Sequence, residues 1–256
     1  MSSIPEVPAF PRVAAAALAQ AAAFFQSRAP FIPRLALLLD ASDTAFVENL
    51  HLTQVIAAAE MPQGIVRQNW FFGEYGGKKI LLIANTATIL PHEEATAKSL
   101  MLQVMAQLGV QRLLASSFAV NLNPNFAAGE LLLLDDHINL TFRNALRGAH
   151  RKEWGERWPD MSAPYSPALQ TLALETARTA RIPLRRGVLF CLRAPQEATP
   201  AEVEMAKRAG ADALAAFPLA EILTALSRRM QVLGLVRLHA KFASACAPIQ
   251  NDDNAL

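Results

Sequence analysis

At 256 residues the chain can bury a substantial core, in one large domain or two small ones. Hydrophobic residues make up 52% and charged residues 18%, which excludes an intrinsically disordered chain. A net charge of +2 lacks the basic excess of a nucleic-acid surface, and no segment reaches transmembrane length, so neither nucleic acid nor membrane is an expected partner and the expected location is cytoplasmic.

In chain order, Pro5, Pro8 and Pro11 precede an Ala-rich run, Val13 to Phe25. It has no basic flank and is too short to span a bilayer, so it reads as a surface-packed helix rather than a leader. Leu35 to Leu39 is a continuous apolar run closed by Asp40-Ala41-Ser42-Asp43, the pattern of a strand buried on both faces and then a loop. Further strand-like runs are Trp70 to Phe72, Ile80 to Ala84, Arg112 to Ala115, Leu131 to Leu134, Val188 to Leu192, Ala213 to Phe217 and Val232 to Leu238. Tyr75-Gly76-Gly77-Lys78 separates two of them and predicts a hairpin.

Helical spacing runs from Glu93 to Leu108, with Gly109 as its stop, and again from Pro167 to Ala180. A third helix opens at Thr199-Pro200-Ala201-Glu202: Thr199 is an N-cap, Pro200 suits the first helical position and Glu202 has capping-box spacing; Gly210 ends it. Strands alternating with helices predict an α/β fold, mainly parallel, and the hairpin makes the sheet mixed. No linker or repeat divides the chain, so residues 1–256 read as one domain with flexible ends at 1–12 and 247–256.

Cys191 and Cys246 form neither a disulfide framework nor a metal spacing, and the five histidines show no paired-ligand motif, so no metal is expected. The Arg185-Arg186 and Arg228-Arg229 pairs read as solvated faces.

Several pieces then occur in one order: Leu122-Asn123-Pro124, Gly129-Glu130, Asp136-His137-Ile138-Asn139-Leu140 and Leu146-Arg147-Gly148. Trp154-Gly155-Glu156-Arg157-Trp158-Pro159-Asp160-Met161-Ser162 with Tyr165 follows, then Gly210-Ala211-Asp212-Ala213 and Glu221. This pattern, over residues 13 to 242, resembles the trimeric purine nucleoside phosphorylases, the group that includes methylthioadenosine phosphorylase. The resemblance implies a three-layer α/β/α sandwich around a mixed, partly barrel-like sheet. It also implies a homotrimer, a purine nucleoside or base as ligand, phosphate as co-substrate, and no organic cofactor or metal. Its reaction is phosphorolysis to free base and pentose 1-phosphate.

Carried over position by position, the chemistry of that family is much altered. The phosphate loop G-S-G-x-G aligns with Asp40-Ala41-Ser42-Asp43-Thr44. The glycines that admit an anion to the backbone are gone, Ser42 remains a donor, and Asp40 and Asp43 bring like charge to a phosphate site. The second phosphate element, R-x-H, falls on Thr86-Ala87-Thr88, whose hydroxyls lack the bidentate cation of Arg. The N-A-A-G-G-L-N-P turn reads Ser117-Phe118-Ala119-Val120-Asn121-Leu122-Asn123-Pro124, with Phe118 and Val120 replacing small residues. The purine-reading Glu aligns with Ala198, and Glu197 is displaced by one. The M-S pair aligns with Ala216-Phe217, and the T-N pair with His239-Ala240. Trp154 matches an aromatic residue that reaches the neighbouring subunit's site.

Two functions are compatible with this pattern. One is a binding or regulatory homologue impaired in phosphorolysis. The other is an N-glycosyl-bond enzyme, a nucleosidase or altered-substrate phosphorylase, with Asp40 or Asp43 as base and His239 as acid.

Overall fold

The computed structural model describes residues 15–39, 44–62, 64–84, 92–147, 156–193 and 198–239. The chain ends expected to be flexible lie outside these residues. Among the described residues nine strands join one mixed sheet in the order β2-β3-β4-β1-β5-β8-β7-β6-β9, and a further β5–β9 ladder closes part of it.

Helix α1 (Ala15–Arg28) is followed by β1 (Leu35–Leu39), the short α2 (Thr44–Glu48) and β2 (His51–Ile56). The hairpin of β3 (Trp70–Tyr75) and β4 (Lys78–Ala84) turns at Gly76 and Gly77. Both glycines have positive φ, +55° and +73°, which a two-residue hairpin turn requires and L side chains disfavour. Then come α3 (His92–Leu108) and β5 (Arg112–Asn121). Strand β6 (Leu131–Asn139), α4 (Pro167–Ala180), β7 (Leu184–Cys191), α5 (Pro200–Arg208), β8 (Ala213–Ala215), α6 (Leu219–Ser227) and β9 (Gln231–His239) complete the order.

The apolar run of β1 lies between two parallel neighbours, Leu37 pairing in register with Leu82 of β4 and Leu114 of β5. Its other face packs with Leu39, Leu50, Ile80 and Leu82 under α2. The principal core lies on the opposite side, where Leu18 and Phe25 of α1, Met101 and Met105 of α3 and Ile222 of α6 meet Leu38, Leu113 and Val232. A third cluster seats Val203 and Ala206 of α5 on Phe190 and Leu214. The predicted capping box is present: Glu202 N donates to Thr199 Oγ1 at 3.3 Å and Thr199 N donates to Glu202 Oε2 at 2.7 Å.

Strands β5, β8, β7, β6 and β9 form a closed ring, because β5 pairs with both β8 and β9. Closure needs close backbone approach. A Cβ added to Gly234 on β9 would stand 2.8 Å from Leu134 Cδ1 and from Tyr165 Cε1. The expected Ala213 to Phe217 strand stops at Ala215, after which the chain turns into α6. Arg228, expected on a solvated face, is half-buried, and burial lowers its pKa. Among the described residues no helix is long and apolar enough to cross a membrane.

Candidate functional site

The site is built where β5, β8 and β9 meet. Strand β9 runs parallel to β5 up to the Val120–His239 pair, while β8 comes in antiparallel against Val120 and Asn121. Three distant pieces of sequence therefore converge: Ser117 and Phe118, Ala216 and Phe217, and His239.

Each side chain has a definite use. Ser117 is buried, and its Oγ donates to Ala216 O at 3.3 Å, tying β5 to the segment after β8. Phe217 is 8% exposed and belongs to the principal core. Phe118 lies against His239, with ring centroids 4.7 Å apart and planes inclined by 32°. His239 is exposed, and no hydrogen bond to its imidazole is present among the described residues. The site residues Asp40, Ser42, Asp43, Thr86, Thr88, Trp154 and Glu197 lie outside the described residues.

Below this junction the turn after β5 is clamped. Asn123 Nδ2 donates to Asp212 Oδ1 at 2.7 Å, and Val188 N donates to Asp212 Oδ2 at 2.9 Å. Leu122 N and Asn123 N both donate to Asp212 O. Asn121 Oδ1 accepts from Asn123 N at 3.0 Å, and its Nδ2 donates to Phe126 O at 2.7 Å. One aspartate thus joins β5, β7 and β8. Gly187 faces it because a Cβ there would collide with the Asp212 carboxylate.

A second polar pair stands inside the barrel end of β6. The Tyr165 hydroxyl lies 3.2 Å from His137 Nδ1. Burial lowers the His137 pKa, only partly offset by Asp136, and the same desolvation drives the Tyr165 phenol well up. A neutral imidazole accepting from a neutral phenol is the arrangement both shifts favour. Glu221, on the first turn of α6, is buried with its Oε1 3.1 Å from Lys98 Nζ of α3. Among the described residues no group of three His, Cys, Asp or Glu side chains has the arrangement to hold a metal ion.

Arg237 was not singled out from sequence. Its signal was the break in the apolar run of β9, where Arg237 and His239 alternate with buried Val236 and Leu238. Both therefore project from the same exposed face of the strand.

A five-stranded ring extended by a mixed sheet, with a junction at β5, β8 and β9, defines the nucleoside phosphorylase fold class. The chain belongs to the phosphorylase superfamily, whose profile matches residues 42–243, and within it to the purine nucleoside phosphorylase family. It is similar to purine nucleoside phosphorylase 1 of Bacillus subtilis, 28% identical over 222 residues that cover 84% of this chain and 82% of the relative. Purine nucleoside phosphorylase of Anopheles gambiae is 37% identical over 128 residues, 48% of this chain and 36% of that one. Among solved structures, Schistosoma mansoni purine nucleoside phosphorylase in complex with adenosine superposes with a TM-score of 0.81 at 23% identity, covering 86% of this chain and 81% of that one. Isoform 2 from the same organism, in complex with cytosine and ribose-1-phosphate, gives 0.80 at 25% identity, covering 88% and 82%.

Proposed function

We propose that this chain is a purine nucleoside phosphorylase homologue impaired in phosphorolysis, acting as a ligand-binding or regulatory protein. The observation that carries this reading is the Phe118–His239 ring pair, 4.7 Å between centroids, at the junction of β5 and β9. The family pattern has a small residue at the first position and a Thr at the second, so aromatic bulk replaces side chains that leave room for the family's nucleoside and free phosphate. Phe217 adds a buried ring where the pattern has Ser, and the Ser117 hydroxyl is committed to a carbonyl. Sequence adds the exchange of Arg and His for Thr86 and Thr88 and of the purine Asn for Ala240. Each lost transition-state donor costs about 3 kcal/mol in comparable sites.

Phosphorolysis of inosine, guanosine and methylthioadenosine by the purified chain tests this. The expected result is no turnover above background; turnover of about 1 per second or faster would sink the reading. The assembly we propose is a cytoplasmic homotrimer in which Trp154 contacts the neighbouring subunit, and light scattering should return three times the mass of one chain. Phosphate enters as co-substrate only if activity is retained.

One observation favours a second reading. The exposed His239 imidazole is open for proton transfer, which suits hydrolysis with Asp40 or Asp43 as base and Glu197, Ser42 or a Thr of 86–88 contacting substrate. Release of free base from a nucleoside without phosphate, abolished in Asp40→Asn, Asp43→Asn and His239→Ala, would establish it. Activity that survives all three substitutions would exclude it.

A further inference from the structure

Strands β5 and β9 present a strip on the face turned away from the principal core. Parallel pairing sets Ser116 beside Leu235, Phe118 beside Arg237 and Val120 beside His239, and paired residues of neighbouring strands share a face. Burial agrees: Phe118, Val120 and Leu235 are half-buried, Arg237 and His239 exposed, while the alternate residues Ala119, Val236 and Leu238 are buried. Phe118 packs on His239 with ring centroids 4.7 Å apart and planes inclined by 32°, so the exposed imidazole is the outer ring of the pair. Arg237 adds a permanent cation one pleat repeat, about 7 Å, from His239 on the same strand.

The charge on this strip is unbalanced. Glu130 is the described carboxylate next to it, held there by the bond from Leu238 N to Glu130 O. Its two oxygens already accept from Arg185, at 2.8 and 3.0 Å, and one of them from Ala127 N, and these bonds hold its pKa below the ordinary carboxylate value. Among the described residues Arg237 has no ion pair or hydrogen bond through its side chain. An uncompensated guanidinium beside an exposed imidazole backed by a half-buried phenyl ring is suited to a ligand with a π-face and its own anionic group, since Arg binds phosphate through two parallel donors.

We infer that the strip of Phe118, Arg237 and His239 binds a purine nucleotide, base on the ring pair and phosphate on Arg237. This rests on the reading of the chain as a ligand-binding homologue and names its ligand class: the anion arrives attached to the ligand rather than as a free co-substrate.

Calorimetric titration of the full chain with adenosine, adenosine 5′-monophosphate and inorganic phosphate tests it. The nucleotide should bind roughly tenfold tighter than the nucleoside, as one charge-assisted phosphate contact warrants. Arg237→Leu should remove that advantage without altering thermal unfolding, and Phe118→Ala should weaken nucleoside and nucleotide alike. Equal affinities, an advantage that survives Arg237→Leu, or binding of neither compound would each overturn the inference. None of these outcomes bears on the phosphorolysis assay, whose failure would be read separately in product formation.

Discussion

Asn123 Nδ2 donates to Asp212 Oδ1 at 2.7 Å, joining residues 89 positions apart in sequence. Both belong to motifs that carry the family resemblance, and their side chains are spent on each other and on the backbone of β7. Asp212→Ala strands the Val188 amide and the Asn123 amide together, so it should cost about 2–4 kcal/mol, against about 1 kcal/mol for Asn123→Ala. Urea unfolding of the two variants gives both numbers, and a smaller loss in Asp212→Ala than in Asn123→Ala would contradict the clamp.

The Lys98–Glu221 pair is buried between α3 and α6, with side chains 10% and 1% exposed. Losing one partner leaves a buried charge, so Glu221→Leu or Lys98→Met alone should destabilise by about 3–5 kcal/mol. The double substitution should recover most of that loss, because two apolar side chains need no desolvation compensation. Chemical denaturation of the three variants decides the matter; additive losses would show that the pair is not coupled.

His137 carries a folded-state pKa below the ordinary 6.5, held down chiefly by burial. A depressed histidine pKa means the unfolded chain takes up the proton first. The stability contributed is therefore complete above about pH 6.5 and is lost as pH falls toward the folded-state value. His137→Gln should flatten the slope of unfolding free energy against pH in that window. Tyr165→Phe removes a bond worth about 1 kcal/mol and should leave the slope nearly unchanged, slightly shallower, because burial is the chief cause of the shift.

Gly234→Ala places a methyl group 2.8 Å from Leu134 and Tyr165. Both neighbours are packed in the core, so the substitution should cost about 1–3 kcal/mol. Gly129→Ala makes a contrast: nothing lies within 4 Å of its Cβ, and only its φ of +89° opposes the change. Thermal melts of the pair separate crowding from backbone strain.

Much of the fold was legible where local chemistry and tertiary context agree. The β1 apolar run, the Gly76-Gly77 turn and the Thr199–Glu202 cap each determine structure over a few residues. Strand β2 was not legible, because His51–Ile56 is an edge strand with mostly exposed side chains and shows no buried face. Helix α6 escaped for the opposite reason: nearly all its residues are buried, so no polar face marks its period. At the site, the convergence of Ser117, Phe118, Phe217 and His239 could be anticipated from motif order. The commitment of the Ser117 hydroxyl to the Ala216 carbonyl could not, since it depends on a backbone group 99 positions away. The charge of Arg237 became meaningful only once the β5–β9 register placed it beside Phe118.

The ring of β5, β8, β7, β6 and β9 is closed by its last strand, which ladders with β5 on one side and β6 on the other. During synthesis both of those earlier strands must wait with unpaired edges until β9 leaves the ribosome. Such long-range closure slows folding and leaves adhesive backbone exposed meanwhile. A stop codon before Gln231 would therefore do more than shorten the protein: it would fix the nascent chain in its open, self-associating form.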